Sequence, residues 1–341
     1  MLWVTCFVDK FLVMHCNGAL SYRQNWHISC FFTGMKKYRI LCLDGGGIRG
    51  FITARLIERL QKEHPGWLEQ VDLIAGTSTG GLLALALASG KSPAEVCELY
   101  ANAGELIFDD SLLDDLKDLG RLVGADYSSA PLQEELERTF GQLSLAELEK
   151  KVAIPAFDLD NQAEDPEKRS WKPKIFHNFI GDDSDGDQNV AKVALYTSAA
   201  PTYFPSADGY IDGGVFANNP SLVALAQAIA QDNHHSERAE LSEVVLLSIG
   251  TGSAKSYIEG ETLDWGLTQW GGHLIDLLMD GMAGISDYQC KQLLGERYAR
   301  LQVELDEPIE LDDPSQIGLM DRIASQHHLG EMTEWLQEHW L

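Results

Sequence analysis

Three short stretches carry residues whose types and spacing can do chemistry. Asp44-Gly45-Gly46-Gly47-Ile48-Arg49-Gly50 separates an apolar strand-like run from a helix-like run. Gly76-Thr77-Ser78-Thr79-Gly80 does the same one unit later, and Asp212-Gly213-Gly214 follows a Tyr-Ile pair. A serine hydroxyl is a weak nucleophile unless a base takes its proton and donors hold the negative charge that its attack puts on a carbonyl oxygen. The three stretches hold one candidate for each need.

The first stretch also reads Gly45-x-Gly47-x-x-Gly50, the spacing of a dinucleotide fingerprint. That motif wants an acidic residue about 20 positions later, closing a second strand, to hold a ribose hydroxyl. Glu69 and Asp72 stand near that distance but precede or begin the next strand-like run, so the second half is misplaced. As an oxyanion site, Gly45, Gly46 and Gly47 leave backbone N–H groups open at the start of a helix whose dipole favours an anion, and Arg49 can brace the loop or add positive potential. A tight turn without a ligand is the plainer alternative.

Gly76-Thr77-Ser78-Thr79-Gly80 matches G-x-S-x-G between a strand and an apolar helix, the setting of a nucleophile elbow, where the serine occupies a strained turn and small neighbours let strand and helix approach. Ser78 as an ordinary helix N-cap is the competing reading. For the base, His234, His235, His273, His327, His328 and His339 all stand in polar loop-like or helix-like surroundings. Asp212 is the other candidate: two following glycines predict a tight turn that exposes its carboxylate, against the alternative of a turn residue bonding its own backbone.

In this order the three stretches resemble the patatin-like phospholipases. "IPAFDLD" at 154–160, "TSAAPTYFP" at 197–205, "NNPSLVALAQA" at 218–228 and "LLSIGTG" at 246–252 extend the likeness, which runs from Lys37 to Gly252 and more loosely into the C-terminal third. The resemblance implies Ser78 as nucleophile, Asp212 as its base, and Gly45, Gly46 and Gly47 with Arg49 as the oxyanion hole. Gly50, Gly76, Gly80, Gly213 and Gly214 are then the motif glycines. It further implies an α/β fold, a three-layer α/β/α sandwich with a largely parallel central sheet, hydrolysis of fatty-acyl esters of membrane lipids at a membrane or micelle surface, and neither metal nor other cofactor. Some bacterial members that this chain resembles are switched on by cyclic dinucleotides, so a small-molecule activator and a homo-oligomer contact are carried as expectations. The alternative from a different class is a nucleotide-binding protein with Gly45–Gly50 as a phosphate cradle.

The elements that must position these residues alternate along the chain, as in a sheet covered on both faces. Strand-like runs are Arg39–Leu43, Val71–Ala75, Val152–Phe157, Lys174–Asn178 and Val244–Ile249. Helix-like runs are Ile48–Glu63, Thr79–Ser89, Pro93–Ala103, Pro131–Phe140, Val190–Ser198 and Pro220–Ala230, followed by a C-terminal third, 253–341, read as helical and packed on the catalytic region 35–252. Glu105–Val123 mixes apolar and acidic residues and reads as a surface helix, or as a lid over a lipid cleft. "SGKS" at 89–92 lacks the earlier glycine of a P-loop, and "DDSDGDQ" at 182–188 lacks the glycine and closing carboxylate of a calcium loop.

The chain has 341 residues, 45% of them hydrophobic and 23% charged, the balance of a globular protein. A formal net charge of −26 repels phosphate backbones and excludes nucleic acid as a ready partner. Six cysteines at scattered spacings and the lack of a long apolar run point to a cytoplasmic protein with transient membrane association. Residues 1–34 carry three of those cysteines, only three charges and no periodicity, whereas "MKKYRILCLDGGG" begins abruptly at Met35. The expectation is that Met35 is the biological start and 1–34 a non-native or disordered extension.

Overall fold

Strands buried on both faces read as continuous apolar runs, because neighbouring side chains point to opposite sides and each side is covered. Tyr-Arg-Ile-Leu-Cys-Leu is such a run and forms β1 (Tyr38–Leu43). Ile40 and Cys42 enter one core; Leu41 and Leu43 enter the other. The same division holds in β6 (Val244–Ile249), where Val245, Leu247 and Ile249 face the larger core and Val244 and Leu246 the smaller.

The computed structural model describes residues 36–107 and 125–341. The proposed extension at 1–34 and most of the lid candidate Glu105–Val123 lie outside the described residues. Lys36–Leu341 form one compact unit.

The remaining strands are β2 (Leu73–Gly76), β3 (Lys151–Asp158), β4 (Lys172–His177), β5 (Tyr210–Asp212), β7 (Ser253–Ala254), β8 (Tyr298–Leu301) and β9 (Glu304–Leu305). The main sheet runs β4-β3-β2-β1-β6-β8, with β5 also paired to β3, while β7 and β9 form a separate small pair. β3, β2, β1, β6 and β8 are mutually parallel; β4 and β5 run antiparallel to β3. The described helices are α1 (Gly50–Glu63), α2 (Thr79–Ala88), α3 (Pro93–Ile107), α4 (Ala130–Phe140), α5 (Val190–Thr197), α6 (Gly214–Ala217), α7 (Ser221–Ile229), α8 (Leu267–Leu294), α9 (Ile317–Gln326) and α10 (Gly330–Trp335).

Residues of α1 to α5, α9 and α10 pack with the larger core; residues of α7 and the C-terminal end of α8 cover the other face. This is the expected three-layer α/β/α sandwich around a largely parallel sheet. The expectation of a helical C-terminal third needs correction. β8 joins the sheet beside β6, its four-residue run being too short to register against the long helical pattern before it.

Two features of this topology set up a site. The chain leaves β1 toward β2, β3 and β4 and later returns to the other side of β1 as β6, so the loops after β1 and β6 diverge at a topological switch point. Second, β3 is longer than β2. One edge of β3 pairs with β4 over Ala153–Asp158, whereas the other pairs with β2 up to Ala153 and then with β5 from Ala156. The end of β5 therefore meets the end of β2, and Asp212 comes to lie beside the turn that carries Ser78.

Candidate functional site

The turn from β2 into α2 is made sharp by what it excludes. A Cβ at Gly76 would lie 2.0 Å from the Gly80 carbonyl oxygen, and one at Gly80 would lie 2.2 Å from the Leu43 carbonyl oxygen. Strand and helix thus touch backbone to backbone. Ser78, between them, is held at φ 55°, ψ −127°, a conformation that costs a non-glycine residue about 1–3 kcal/mol and persists only when its surroundings over-determine it. The surroundings do so. The Ser78 N–H donates to Thr197 Oγ1 at 3.0 Å, and that hydroxyl donates to the Pro155 carbonyl at 2.6 Å. Thr77 donates through its N–H to the Leu43 carbonyl at 3.2 Å and through its hydroxyl to the Ala217 carbonyl at 2.6 Å.

Asp212 corrects one expectation. The residue is buried, 4% exposed, and Gly213 takes an ordinary helical φ of −66° with Gly214 opening α6, instead of a turn that presents the acid to water. Gly213 is needed for close approach: a Cβ there would lie 2.3 Å from the Pro155 carbonyl oxygen. Gly214 donates its N–H to Asp212 Oδ1 at 2.6 Å. Burial pushes the Asp212 carboxyl up to about 7, and hydrogen bonds from the Ser78 hydroxyl and the Gly214 N–H pull against that rise.

The glycine loop lies beside this pair. Gly47 has φ +56°, and a Cβ would lie 2.1 Å from the Leu311 carbonyl oxygen, so no other residue fits without rearrangement. The Gly45 N–H donates to the Asn218 carbonyl at 3.0 Å and the Ile48 N–H to the Leu311 carbonyl at 2.8 Å. Among the described residues, no hydrogen bond engages the N–H of Gly46 or Gly47. Both glycines line the same cavity as Ser78 and Asp212. Gly50 opens α1, and half-buried Arg49 reaches the Gly46 carbonyl with its Nε at 3.5 Å. Burial lowers the Arg49 pKa, while Asp280 and Asp276 of α8 raise it.

Three residues that hold this loop or the Ser78 turn escaped the reading of the sequence. Arg300 on β8 clamps the buried Asp44 through both carboxylate oxygens, one at 2.8 Å, and also donates to Ser248 Oγ at 2.6 Å. Burial opposes the Arg300 charge, yet Asp44 raises its pKa above the ordinary arginine value. Thr251, just after β6, donates to the Gly45 carbonyl at 3.1 Å. Thr197, which holds the Ser78 turn, lies at the end of the helix-like run Val190–Ser198 and, like Thr251, in a segment read for its family likeness but not as a site residue. An arginine inside the apolar run Tyr-Ala-Arg-Leu was a usable signal, since a buried cation requires a partner.

The cavity has a volume of about 290 Å³, near the lower end of the range for small-molecule pockets. Its walls are apolar, built from side chains such as Leu82, Val96, Leu136, Phe140 and Phe204, with Ile275, Leu278 and Met279 of α8 at one side. No histidine lines it among the described residues: His234, His235 and His328 are exposed and His273 stacks on Trp265. Asp72, one of the acids near the dinucleotide spacing, accepts the Arg39 N–H at the opposite end of the sheet, 2.8 Å away. Among the described residues no group of His, Cys, Asp or Glu side chains is arranged to hold a metal ion, and no helix is long and apolar enough to cross a membrane.

The family model described as Patatin-like phospholipase matches residues 41–225. The chain is 31% identical to a cGAMP-activated phospholipase of Pseudomonas aeruginosa over 86% of this chain and 85% of that protein. It is 27% identical to protein teg of Priestia megaterium over 90% of this chain and 100% of that protein. It is 30% identical to patatin-like protein 2 of Arabidopsis thaliana over 73% of this chain and 70% of that protein.

Proposed function

This chain belongs to the patatin-like phospholipase family and is a lipid acyl hydrolase, and on that premise we propose that Ser78 and Asp212 act as a dyad on fatty-acyl esters of membrane lipids. The observation that carries the reading is a single apolar cavity that holds the strained serine, a buried carboxyl able to exchange its proton near neutral pH, and two uncommitted backbone donors.

In the acylation half, the Ser78 hydroxyl oxygen attacks the ester carbonyl while Asp212, as carboxylate, takes the hydroxyl proton. The oxyanion forms opposite the Gly46 and Gly47 N–H groups; Gly45, already committed to Asn218, holds the loop. Collapse of the tetrahedral species breaks the ester C–O bond, and protonated Asp212 returns its proton to the departing alcohol. Water repeats the sequence on the acyl-enzyme, frees the fatty acid and restores both residues. Arg49 steadies the Gly46 carbonyl from behind. The catalytic region proposed at 35–252 is completed by 253–341, whose Arg300 fixes Asp44 at the root of the loop.

A second reading concerns control. The Pseudomonas aeruginosa relative is named for activation by cGAMP, and a cyclic dinucleotide is the corresponding candidate activator here. Fatty-acid release from phospholipids and galactolipids, with and without cyclic dinucleotides, tests both readings. Release that disappears in Ser78→Ala and in Asp212→Asn, with a fluorophosphonate labelling Ser78 in the wild type, is expected. Wild-type turnover surviving in Ser78→Ala would refute the dyad, and release independent of every cyclic dinucleotide would refute the switch.

A further inference from the structure

Helix α8 has two apolar sides, of which the fold uses one. Toward the body, Ile275 and Met279 line the cavity, Ser286 and Cys290 are buried, and the Ala283 carbonyl accepts a hydrogen bond from Asn219 Nδ2. Outward, Leu274, Leu277, Leu278, Ile285 and Tyr288 follow one another at helical spacing along a single stripe, and each is at least 40% exposed. Leu278 belongs to both sides, so the outer stripe is continuous with the cavity mouth. Trp265 and Trp270, in edge-to-face contact with centroids 5.1 Å apart, close the stripe at its N-terminal end, where an aromatic pair suits a boundary between apolar and wet surroundings.

We propose that this outward stripe of α8 seats the protein on an uncharged or zwitterionic lipid surface, with the cavity mouth facing the lipid. The inference rests on the lipid acyl hydrolase reading of the cavity and names the surface that delivers its substrate. Two observations select this occupant. Stable contacts between copies of a protein bury ~800 Å² per partner from about 20–30 residues a side, far more than five side chains of one helix supply, whereas a lipid surface accepts a single row. The charge then selects the kind of lipid. From Ser256 to Cys290 the chain has no Lys or Arg, and its acids Glu259, Glu261, Asp264, Asp276, Asp280 and Asp287 leave this region net negative even with Arg49 set against Asp276 and Asp280. Lipid-seeking helices are usually basic and prefer anionic bilayers; this one must bind by apolar insertion and is repelled by anionic headgroups.

Flotation of the full chain with phosphatidylcholine vesicles and with phosphatidylcholine–phosphatidylserine vesicles tests this, alongside the double variant Leu274→Glu, Leu277→Glu, neither residue lining the cavity. Hydrolysis of vesicle lipid and of a soluble short-chain ester is measured in parallel. Wild type is expected to float with phosphatidylcholine and several-fold less with phosphatidylserine present, more so at low salt. The double variant is expected to lose at least about tenfold in both flotation and vesicle hydrolysis while its soluble-ester turnover is unchanged. Equal flotation of the variant, a preference for phosphatidylserine, or a vesicle-free dimer that the double variant splits would each overturn the proposal. Flotation without any ester hydrolysis would strike the hydrolase reading and leave the docking surface standing. Soluble-ester hydrolysis without flotation would do the reverse.

Discussion

Replacing Asp212 by asparagine keeps the shape of the side chain and an oxygen to accept the Gly214 N–H, and removes the ionisation. Burial has moved this carboxyl from its ordinary 3.8 to about 7. At ~1.36 kcal/mol for each tenfold change in proton affinity, the ionised form costs the folded wild type about 4 kcal/mol. The sign follows from proton counting. Between about pH 4 and pH 7 the folded carboxyl keeps a proton that the unfolded chain has released, so wild-type stability falls as pH rises, and the cost is complete above about pH 7. Asparagine has no such dependence.

Asp212→Asn is therefore expected to be inactive and yet more stable than wild type by up to about 4 kcal/mol at pH 8, a rise in Tm on the order of 5–10 °C, with the gap closing near pH 4. Thermal unfolding of both proteins across that range reads the effect. In the wild type, kcat/KM falls about tenfold per pH unit below about 7, as the carboxylate is lost. A stability gap that does not change with pH, a wild type more stable than the variant at pH 8, or a kcat/KM midpoint near the ordinary carboxyl value would refute the reasoning.

Thr197→Val leaves the Ser78 N–H without its acceptor. A loss of about 1–3 kcal/mol by calorimetry is expected, with a fall in ester turnover because the strained φ is no longer enforced. Arg300→Met strands the buried Asp44 charge and should lower stability by about 3–5 kcal/mol in urea titrations at neutral pH, less in acid as Asp44 takes up a proton. Trp340→Ala removes a fully buried ring that packs edge-on against Trp67 at 5.8 Å and donates to its carbonyl at 3.1 Å. The expected loss is about 3–5 kcal/mol in denaturant, with turnover of the folded fraction unchanged, because the Trp340 carbonyl accepts Arg39 Nε at the end of β1 remote from the glycine loop.

The site was legible where chemistry imposes a local spacing. Strand, tight turn and apolar helix around Ser78 follow from Gly76 and Gly80, whose side chains would strike backbone, and such a constraint leaves its mark within five residues. The exposure expected for Asp212 was misjudged, because its burial comes from β5 pairing with β3 and from the segment at Ala199, which accepts its N–H at 3.0 Å. Nothing within a few positions of Asp212 encodes that. Thr197 and Arg300 act across 119 and 256 residues of chain on Ser78 and Asp44, separations that only the order of strands resolves. β8 escaped for the same reason: four residues make a strand only when a sheet edge awaits them.

In the proposed dyad, a carboxyl near 7 takes the place that a histidine fills in other serine hydrolases. Imidazole reaches that range by its own chemistry, near 6.5 in water, and serine hydrolases recruit it for that reason. Here the apolar walls supply the equivalent shift to a residue that would otherwise be a feeble base. On that proposal, the wall that would receive the acyl chain also sets the basicity of Asp212, and the two are one property of the cavity. Widening the wall enough to admit water beside Asp212 would return the carboxyl toward 3.8 and leave Ser78 with a base about a thousandfold weaker, even with every proposed catalytic atom still in place.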